Sequence, residues 1–357
     1  MAKAALVYSD SYLKHFTGSG HVENPSRLRI AMDSLRKLGL ISEDRFVVLE
    51  PKIAEVADIE AVHSSQYVEE IKRFCGAGGG YYDGDTYLSK ESYDIALLAA
   101  GGCLKACNEV FSGKFRRAFA LVRPPGHHAG VDGAALGAST VGFCVFNNVA
   151  IIASYALRRK LASRVMILDF DVHHGNGTQE IFNSTSKVLY VSLHQRGIYP
   201  GTGFEYEIGS GEGKGYKVNI PLPSRSDDEV YLKVLNEVVK PVAEQFKPEL
   251  MLLSAGYDPH HTDLIGGMLL SAQGFSQIVS FAVEIAEKYG EGRVIGCLEG
   301  GYSAEALSKA LPASLAALIG EEIEIQDEKP KSQDRVKDIA DKTVKNLKEI
   351  LGEYWSF

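Results

Sequence analysis

Eight short apolar runs are spaced along the whole chain: AALVY (4–8), RFVVLE (45–50), RAFALV (117–122), RVMILDF (164–170), KVLYVSL (187–193), YKVNI (216–220), ELMLLSA (249–255) and RVIGCLE (293–299). Several are apolar at consecutive rather than alternate positions, which predicts parallel strands buried on both faces; 45–50 is the weakest of the eight. Between them, apolar residues recur at helical spacing over 92–109, 147–160, 227–246, 272–289, 304–318 and 333–352. Near the start, Pro25 stands where a first helical turn accepts it. Asn24 is placed to cap that turn, and Leu28, Met32 and Leu35 follow as a stripe. In the last helix Val336, Ile339, Val344, Leu347 and Leu351 share one side among lysines and acids, so it should lie on a core with Tyr354 and Trp355 anchoring the tail. Strands alternating with helices predict an α/β fold with a central parallel sheet in one three-layer domain over 1–357. The linker-like segment 324–334 lies too near the end to divide two domains. Residues 76–88 and 123–143 hold too much glycine for regular elements and are expected to be long structured loops, the kind that carry function.

Composition narrows the classes. With 357 residues, 45% hydrophobic and 24% charged, the chain is not disordered, collagenous or coiled-coil as a whole. A balance of 38 basic against 46 acidic residues, net −8, gives no support for non-specific nucleic-acid binding, though a basic protein partner stays open. Cys75, Cys103, Cys107, Cys144 and Cys297 are odd in number and form no C-x-x-C pair. They read as reduced, buried residues of a cytoplasmic protein. No signal peptide and no apolar stretch long enough for a membrane span is read, so no membrane partner is expected.

Polar residues collect where the predicted strands end. In LDFDVHHGNGT (168–178), Asp169, Asp171 and His173 share one face if the extended conformation continues to the histidine. Two acids and a histidine there are hard to explain as packing, because an unpaired buried carboxylate is costly. A hydrogen-bonded turn with an aspartate capping a helix over GTQEIFN explains any one of them better than it explains the cluster. MLLSAGYDPHH ends with Asp258, RPPGHHAG joins His127 to His128, and LEGGY ends with Tyr302. In an open parallel sheet these carboxyl ends line the ligand crevice. Asp171, His173 and Asp258 make a mixed N/O set of three, which leaves a metal position for water and substrate. No thiolate lies near them in the sequence, so zinc is the first choice, with cobalt, iron(II) or manganese as others. His127 and His128 can serve as base and acid, and Asp169 and Asn176 are available to orient their rings. Tyr302 can donate to a developing oxyanion, and the set together spells hydrolysis of an amide or ester. His63 reads as structural, and His260 and His261 as neighbours of a ligand rather than ligands. GSGEGKG (209–215) precedes a strand and lacks the Lys-[Ser/Thr] ending of a phosphate loop.

RPPGHHA, DFDVHHGNGTQ, VSLH, GTG, SAGYDPH and LEGGY occur in one order, and with GHVENPSRL (20–28) before them they run to about residue 310. In these motifs the sequence closely resembles the histone deacetylase superfamily, an arginase-like group related to acetylpolyamine amidohydrolases. The resemblance implies a central eight-stranded parallel sheet between helices. It implies Asp171, His173 and Asp258 as zinc ligands, His127 paired with Asp169, His128 as general base, and Tyr302 polarising the acetyl carbonyl. Phe143 and Tyr199 match the walls of an acyl-lysine channel, with Tyr199 in place of a commoner phenylalanine. Asn176, and LEGGY in place of a glycine run, point to class II. One or two structural potassium ions are implied, the inner one using Asp169, Asp171, His173, Ser192 and Leu193. Ile265, in DLIGG (263–267), matches an apolar gate residue, and Asp83 and Asp85 are candidates for a rim carboxylate. The implied activity is zinc-dependent removal of acetyl from lysine side chains of proteins or peptides. Acetylated polyamines or other small acylated amines are the alternative substrates. A ureohydrolase with two manganese ions would need more bridging carboxylates, and a non-catalytic acyl-lysine binding module would lose the base and the tyrosine that are present here. None of these patterns gives the oligomeric state.

Overall fold

All eight apolar runs are strands. The computed structural model of the chain describes residues 3–357, and the strands are β1 (Ala4–Val7), β2 (Phe46–Leu49), β3 (Arg117–Ala120), β4 (Val165–Asp169), β5 (Val188–Gln195), β6 (Lys217–Leu222), β7 (Leu250–Ala255) and β8 (Val294–Leu298). They form one sheet, parallel throughout, in the order β6-β5-β4-β7-β8-β3-β1-β2. Every residue of β1, β4, β6, β7 and β8 is buried, as continuous apolar runs require when helices cover both faces. β2, the weakest run, is an edge strand and only its first residue is fully buried.

Apart from a single turn at Val56–Ile59, the α-helices are α1 (Ser26–Lys37), α2 (Ser65–Gly76), α3 (Ser92–Phe111), α4 (Asn148–Arg158), α5 (Asn176–Ile181), α6 (Asp228–Val234), α7 (Lys240–Phe246), α8 (Ala272–Tyr289), α9 (Ala304–Leu318) and α10 (Asp334–Leu351). The Asn24 carboxamide accepts the Ser26 N–H at 2.9 Å, but the residue at the cap position of α1 is Pro25, one place later than the sequence suggests. α3 packs on α4, and α9 packs between α1 and α8. α10 lies on the sheet edge with Val344, Leu347 and Leu351 buried, and the Trp355 indole donates to the Gly215 carbonyl at 2.7 Å. No helix of the described residues is long and apolar enough to cross a membrane.

Three expectations need correction. The span 227–246 is not a single α-helix: Leu235–Val239 forms a π turn between α6 and α7. Pro241 at the next turn has no N–H to give, and its ring opposes the regular i−4 carbonyl, so the ladder widens there. The glycine-rich stretches 76–88 and 123–143 are not irregular throughout, because Gly79–Tyr81 pairs with Tyr87–Ser89 as an antiparallel hairpin and Ala129–Gly130 pairs with Gly133–Ala134. Gly79 and Gly80 have φ of 75° and 140°, which a side chain would resist, so the glycines build this element rather than prevent it. Helix α2 drew no helical expectation, yet the Ser64 hydroxyl caps it through the Tyr67 N–H, with Tyr67, Val68, Ile71 and Cys75 on its buried face.

Candidate active site

Four adjacent strands, β4, β7, β8 and β3, send their carboxyl-terminal connections into one crevice. β4 stops at Asp169, so simple alternation does not carry His173 to the same face as Asp169 and Asp171. Backbone bonds shape the turn instead. Asp169 Oδ1 accepts the Asp171 N–H at 3.2 Å, Asp171 Oδ1 accepts the His173 N–H at 2.9 Å, and Asp258 Oδ1 accepts the Val172 N–H at 3.0 Å. Asp171 Oδ2 takes the Gly300 N–H at 2.8 Å. A Cβ at Gly300 would collide with both the Asp171 and Asp258 carboxylates, which explains glycine in that position of LEGGY.

Asp171, His173 and Asp258 each offer a ligand atom, all within 4.8 Å of one another. His173 Nδ1 stands 3.1 Å from Asp171 Oδ1 and 3.3 Å from Asp258 Oδ2. Asp258 is fully buried and its Oδ2 has no hydrogen-bond partner. Burial, and then the Asp171 charge, push the Asp258 carboxyl up to about 7. A buried orphan oxygen and two crowded carboxylates beside an imidazole are what a divalent cation satisfies, so the residues fit a metal with three protein ligands.

The two histidines of RPPGHHA have different environments. His127 Nδ1 lies 3.1 Å from Asp169 Oδ2, which also accepts the Tyr190 hydroxyl at 3.0 Å. Burial opposes charge on His127, but Asp171 and Asp169 outweigh it and lift the ring to about 10. His128 Nδ1 lies 2.8 Å from Asn176 Oδ1, and Asn176 Nδ2 donates to the Ala135 carbonyl at 2.8 Å. That second bond turns the amide oxygen toward the ring, so His128 Nδ1 carries the proton and Nε2 keeps its lone pair. Burial, His127 and His173 hold His128 well below the usual imidazole range, so it stays neutral.

Around this centre, the Phe143 and Tyr302 rings meet edge to face at 5.8 Å, and Tyr199 stands 4.9 Å from His128. The Tyr199 hydroxyl donates to the Thr140 carbonyl at 2.8 Å, so its polar end is already partnered. Phe143 is held at φ 66°, a conformation a phenylalanine resists, with its N–H on Thr86 Oγ1 at 3.1 Å. Asp83 accepts N–H groups of Asp85, Thr86 and Val141, while the Asp85 carboxylate accepts hydroxyls of Thr86 and Thr140. Both carboxylates therefore hold their loop against the segment that carries Phe143. Ile265 is half-buried, its N–H on Asp263 Oδ1, and the neighbouring Leu264 is 98% exposed. Ser192 is the register partner of Asp169 on β5, next to buried Leu193, and its hydroxyl meets His194 Nδ1 at 2.8 Å.

His63 is structural: Nδ1 faces the Gly130 carbonyl at 2.7 Å, and Nε2 accepts the Asn147 N–H at 2.9 Å. His260 and His261 turn away from the Asp171 cluster and meet Asp327 at 3.1 and 3.2 Å.

Several residues at the site gave no sequence signal. Glu299 is wholly buried beneath the histidine pair, and its Oε2 accepts the Gly126 and His127 N–H groups at 2.7 and 3.2 Å. Burial pushes its carboxyl to about 7. Asp263 Oδ2 accepts the N–H groups of Tyr302 and Ser303 at 2.6 and 2.8 Å, tying the tyrosine loop to the loop of Ile265. Arg27 lies 4.9 Å over the Tyr302 ring, donates to the Gly301 carbonyl at 2.7 Å, and pairs with buried Glu23 at 3.0 Å. A thiol, absent from the neighbourhood in sequence, is present in space. Cys144 Sγ accepts the His128 N–H at 3.5 Å, and burial pushes that thiol well above its usual range, so it is no thiolate.

The family model of the histone deacetylase domain matches residues 21–318. A probable deacetylase of Archaeoglobus fulgidus is 40% identical, with 98% of each chain covered. Histone deacetylase 10, chloroplastic, of Oryza sativa subsp. japonica is 36% identical over 89% of this chain and 74% of that one. Among solved structures, the HDA15 HD domain superposes with a TM-score of 0.87 at 33% identity, over 98% of this chain and 96% of the other.

Proposed function

The chain belongs to the histone deacetylase family, and from that premise we propose that it is a zinc-dependent amidohydrolase removing acetyl groups from lysine side chains of proteins or peptides. The observation that carries the reading is a neutral, Asn176-oriented His128 beside the buried Asp171–His173–Asp258 cluster. Those three residues would hold the zinc, which when bound supplies Lewis-acid polarisation of the acyl oxygen and acidifies water.

The chain's own groups do the rest. His128 Nε2, its lone pair kept free by the bond at Nδ1, takes the proton of the attacking water. Tyr302, on a loop braced by Asp263 and Arg27, donates its hydroxyl to the acyl oxygen as negative charge develops. His127 is oriented by Asp169, whose Oδ2 lies 3.1 Å from its Nδ1, and stands beside the reacting centre. Protonated His128 then returns its proton to the departing amine. Phe143 and Tyr199 flank the path of the alkyl chain. Potassium, if bound at the inner position, would draw on Asp169, Asp171, His173, Ser192 and Leu193, at the junction of β4 and β5.

Acetyl-lysine is favoured over an acetylated polyamine because the rim offers no uncommitted carboxylate at Ile265 or Leu264, and those of Asp83 and Asp85 are engaged within the protein. A panel of acetylated peptides, free acetyl-lysine, N-acetylputrescine and N-acetylspermidine, compared by kcat/KM on zinc-loaded enzyme, tests this. Higher kcat/KM on peptides is expected. Turnover confined to the polyamines would reverse the substrate assignment, and no turnover of any amide would overturn the hydrolase reading.

A further inference from the structure

The run YKVNI carries a lysine that its strand buries completely: Lys217, first residue of β6, has no exposed surface. It forms no ion pair with any described carboxylate. Its Nζ instead donates to three main-chain carbonyls, Val188 at 2.9 Å, Thr185 at 3.2 Å and Tyr216 at 3.2 Å. An ammonium has three N–H donors and no acceptor, so donors and acceptors match one to one; a neutral amine would leave one carbonyl short. Burial works against the charge and pulls this lysine down to about 7. The three carbonyl oxygens are the groups that face the ammonium, and their dipoles favour its charged form.

Converging carbonyls without an anion are the chemistry of a monovalent-cation site, in which oxygen dipoles replace a hydration shell. A divalent ion would call for carboxylates. We infer that Lys217 Nζ is a tethered cation occupying a monovalent-cation site built from the carbonyls of Thr185, Val188 and Tyr216. The site joins the segment that follows α5, the helix opened by Asn176, to the edge strand β6 and the start of β5. The chain thereby closes this junction without recruiting an ion from solution.

The inference does not depend on the proposed activity, and its test needs no substrate. Zinc-loaded wild type, Lys217→Ala and Lys217→Met are melted at equal ionic strength in potassium, ammonium or choline chloride, and each variant is compared with wild type in the same salt. Removing the ammonium leaves three buried carbonyls without donors, so Lys217→Ala should melt lower by roughly 5 °C in choline. At least half of that deficit should disappear in potassium or ammonium. Lys217→Met fills the space with an apolar chain and should show no salt-specific recovery. Crystals of Lys217→Ala soaked in thallium(I) should show the ion among the three carbonyls, a peak absent from wild type. If Lys217→Ala does not fold in choline, refolding into potassium supports the inference. Equal deficits in all three salts, insolubility in all three, or no thallium at the carbonyls overturns it.

Discussion

Glu299 gives the sharpest test of how the histidine pair is held. Its Oε2 is the acceptor for two buried backbone donors, the N–H groups of Gly126 and His127, and its Oε1 has no partner. Glu299→Leu would strand both donors, at about 1–3 kcal/mol each, so a loss near 4 kcal/mol is expected. The loop would shift to find other acceptors, and a displacement of about 1 Å in a catalytic group lowers turnover about a hundredfold. Glu299→Gln keeps a carbonyl oxygen for both donors and resembles the protonated carboxyl that burial favours. It should cost about 1 kcal/mol or less and stay within roughly threefold of wild-type kcat. Urea denaturation, kcat on an acetyl-lysine peptide and zinc content by elemental analysis read the three consequences separately. Asp171, His173 and Asp258 are untouched in both variants, so zinc should stay bound. Glu299→Leu with wild-type stability and turnover would refute the reasoning. A stoichiometric loss of zinc would refute it differently, by making Glu299 part of the ligand set.

Four further outcomes follow from the same geometry. Asp258→Ala leaves two ligands, so zinc content should fall well below half of wild type with negligible activity, while His260→Ala should retain most of the metal; elemental analysis decides both. Tyr302→Phe should lose about 3 kcal/mol of transition-state stabilisation, roughly a hundredfold in kcat, with zinc unchanged, and a variant keeping a third of wild-type turnover in a chemistry-limited assay would remove the hydroxyl from the mechanism. Ile265→Glu should shift kcat/KM toward N-acetylspermidine over an acetyl-lysine peptide by roughly tenfold, about 1.4 kcal/mol, and Ile265→Gln should reproduce little of it. Burial pulls His63 down to about 4, so as pH falls from 6.5 the unfolded chain takes up a proton that the folded chain refuses. Stability should drop through that window by up to roughly 3 kcal/mol, and the pH dependence of the urea midpoint should flatten in His63→Gln; parallel curves would contradict it.

The fold was readable because its signal is redundant. Runs such as VMIL (165–168) and LMLL (250–253) are apolar at consecutive positions, and only a strand covered on both faces uses them so. The first ring of site residues was readable for a related reason: Asp171, Asp258 and the histidine pair are polar where apolar strands end, and packing has no use for them there. What supports them was not readable. Glu299 sits in a glycine turn, and its two N–H partners come from a loop far away in the chain, so nothing local announces its burial. Asp263 reads as an ordinary turn residue until the Tyr302 loop is folded over it. Lys217, in a strand pattern, reads as a solvated side chain, since burying an unpaired ammonium is the exception and its partners are backbone oxygens with no sequence mark. Helix α2 was missed because its stripe is short and broken by charges.

The strand order bears on how this molecule comes to exist at all. β3 is paired on one side with β1, from the beginning of the chain, and on the other with β8, from near its end; β4 and β7, whose extensions carry Asp171 and Asp258, are neighbours only across a long intervening stretch. Such pairings are entropically expensive to find, and a chain dominated by them folds slowly. Until β4 and β7 are in register there is no place where two carboxylates and His173 stand within reach of one ion. A metal in the surrounding solution therefore cannot guide the search; the zinc of the proposed function would bind the finished sheet and hold it by mass action. Zinc uptake during refolding would then report the completion of the sheet rather than its beginning.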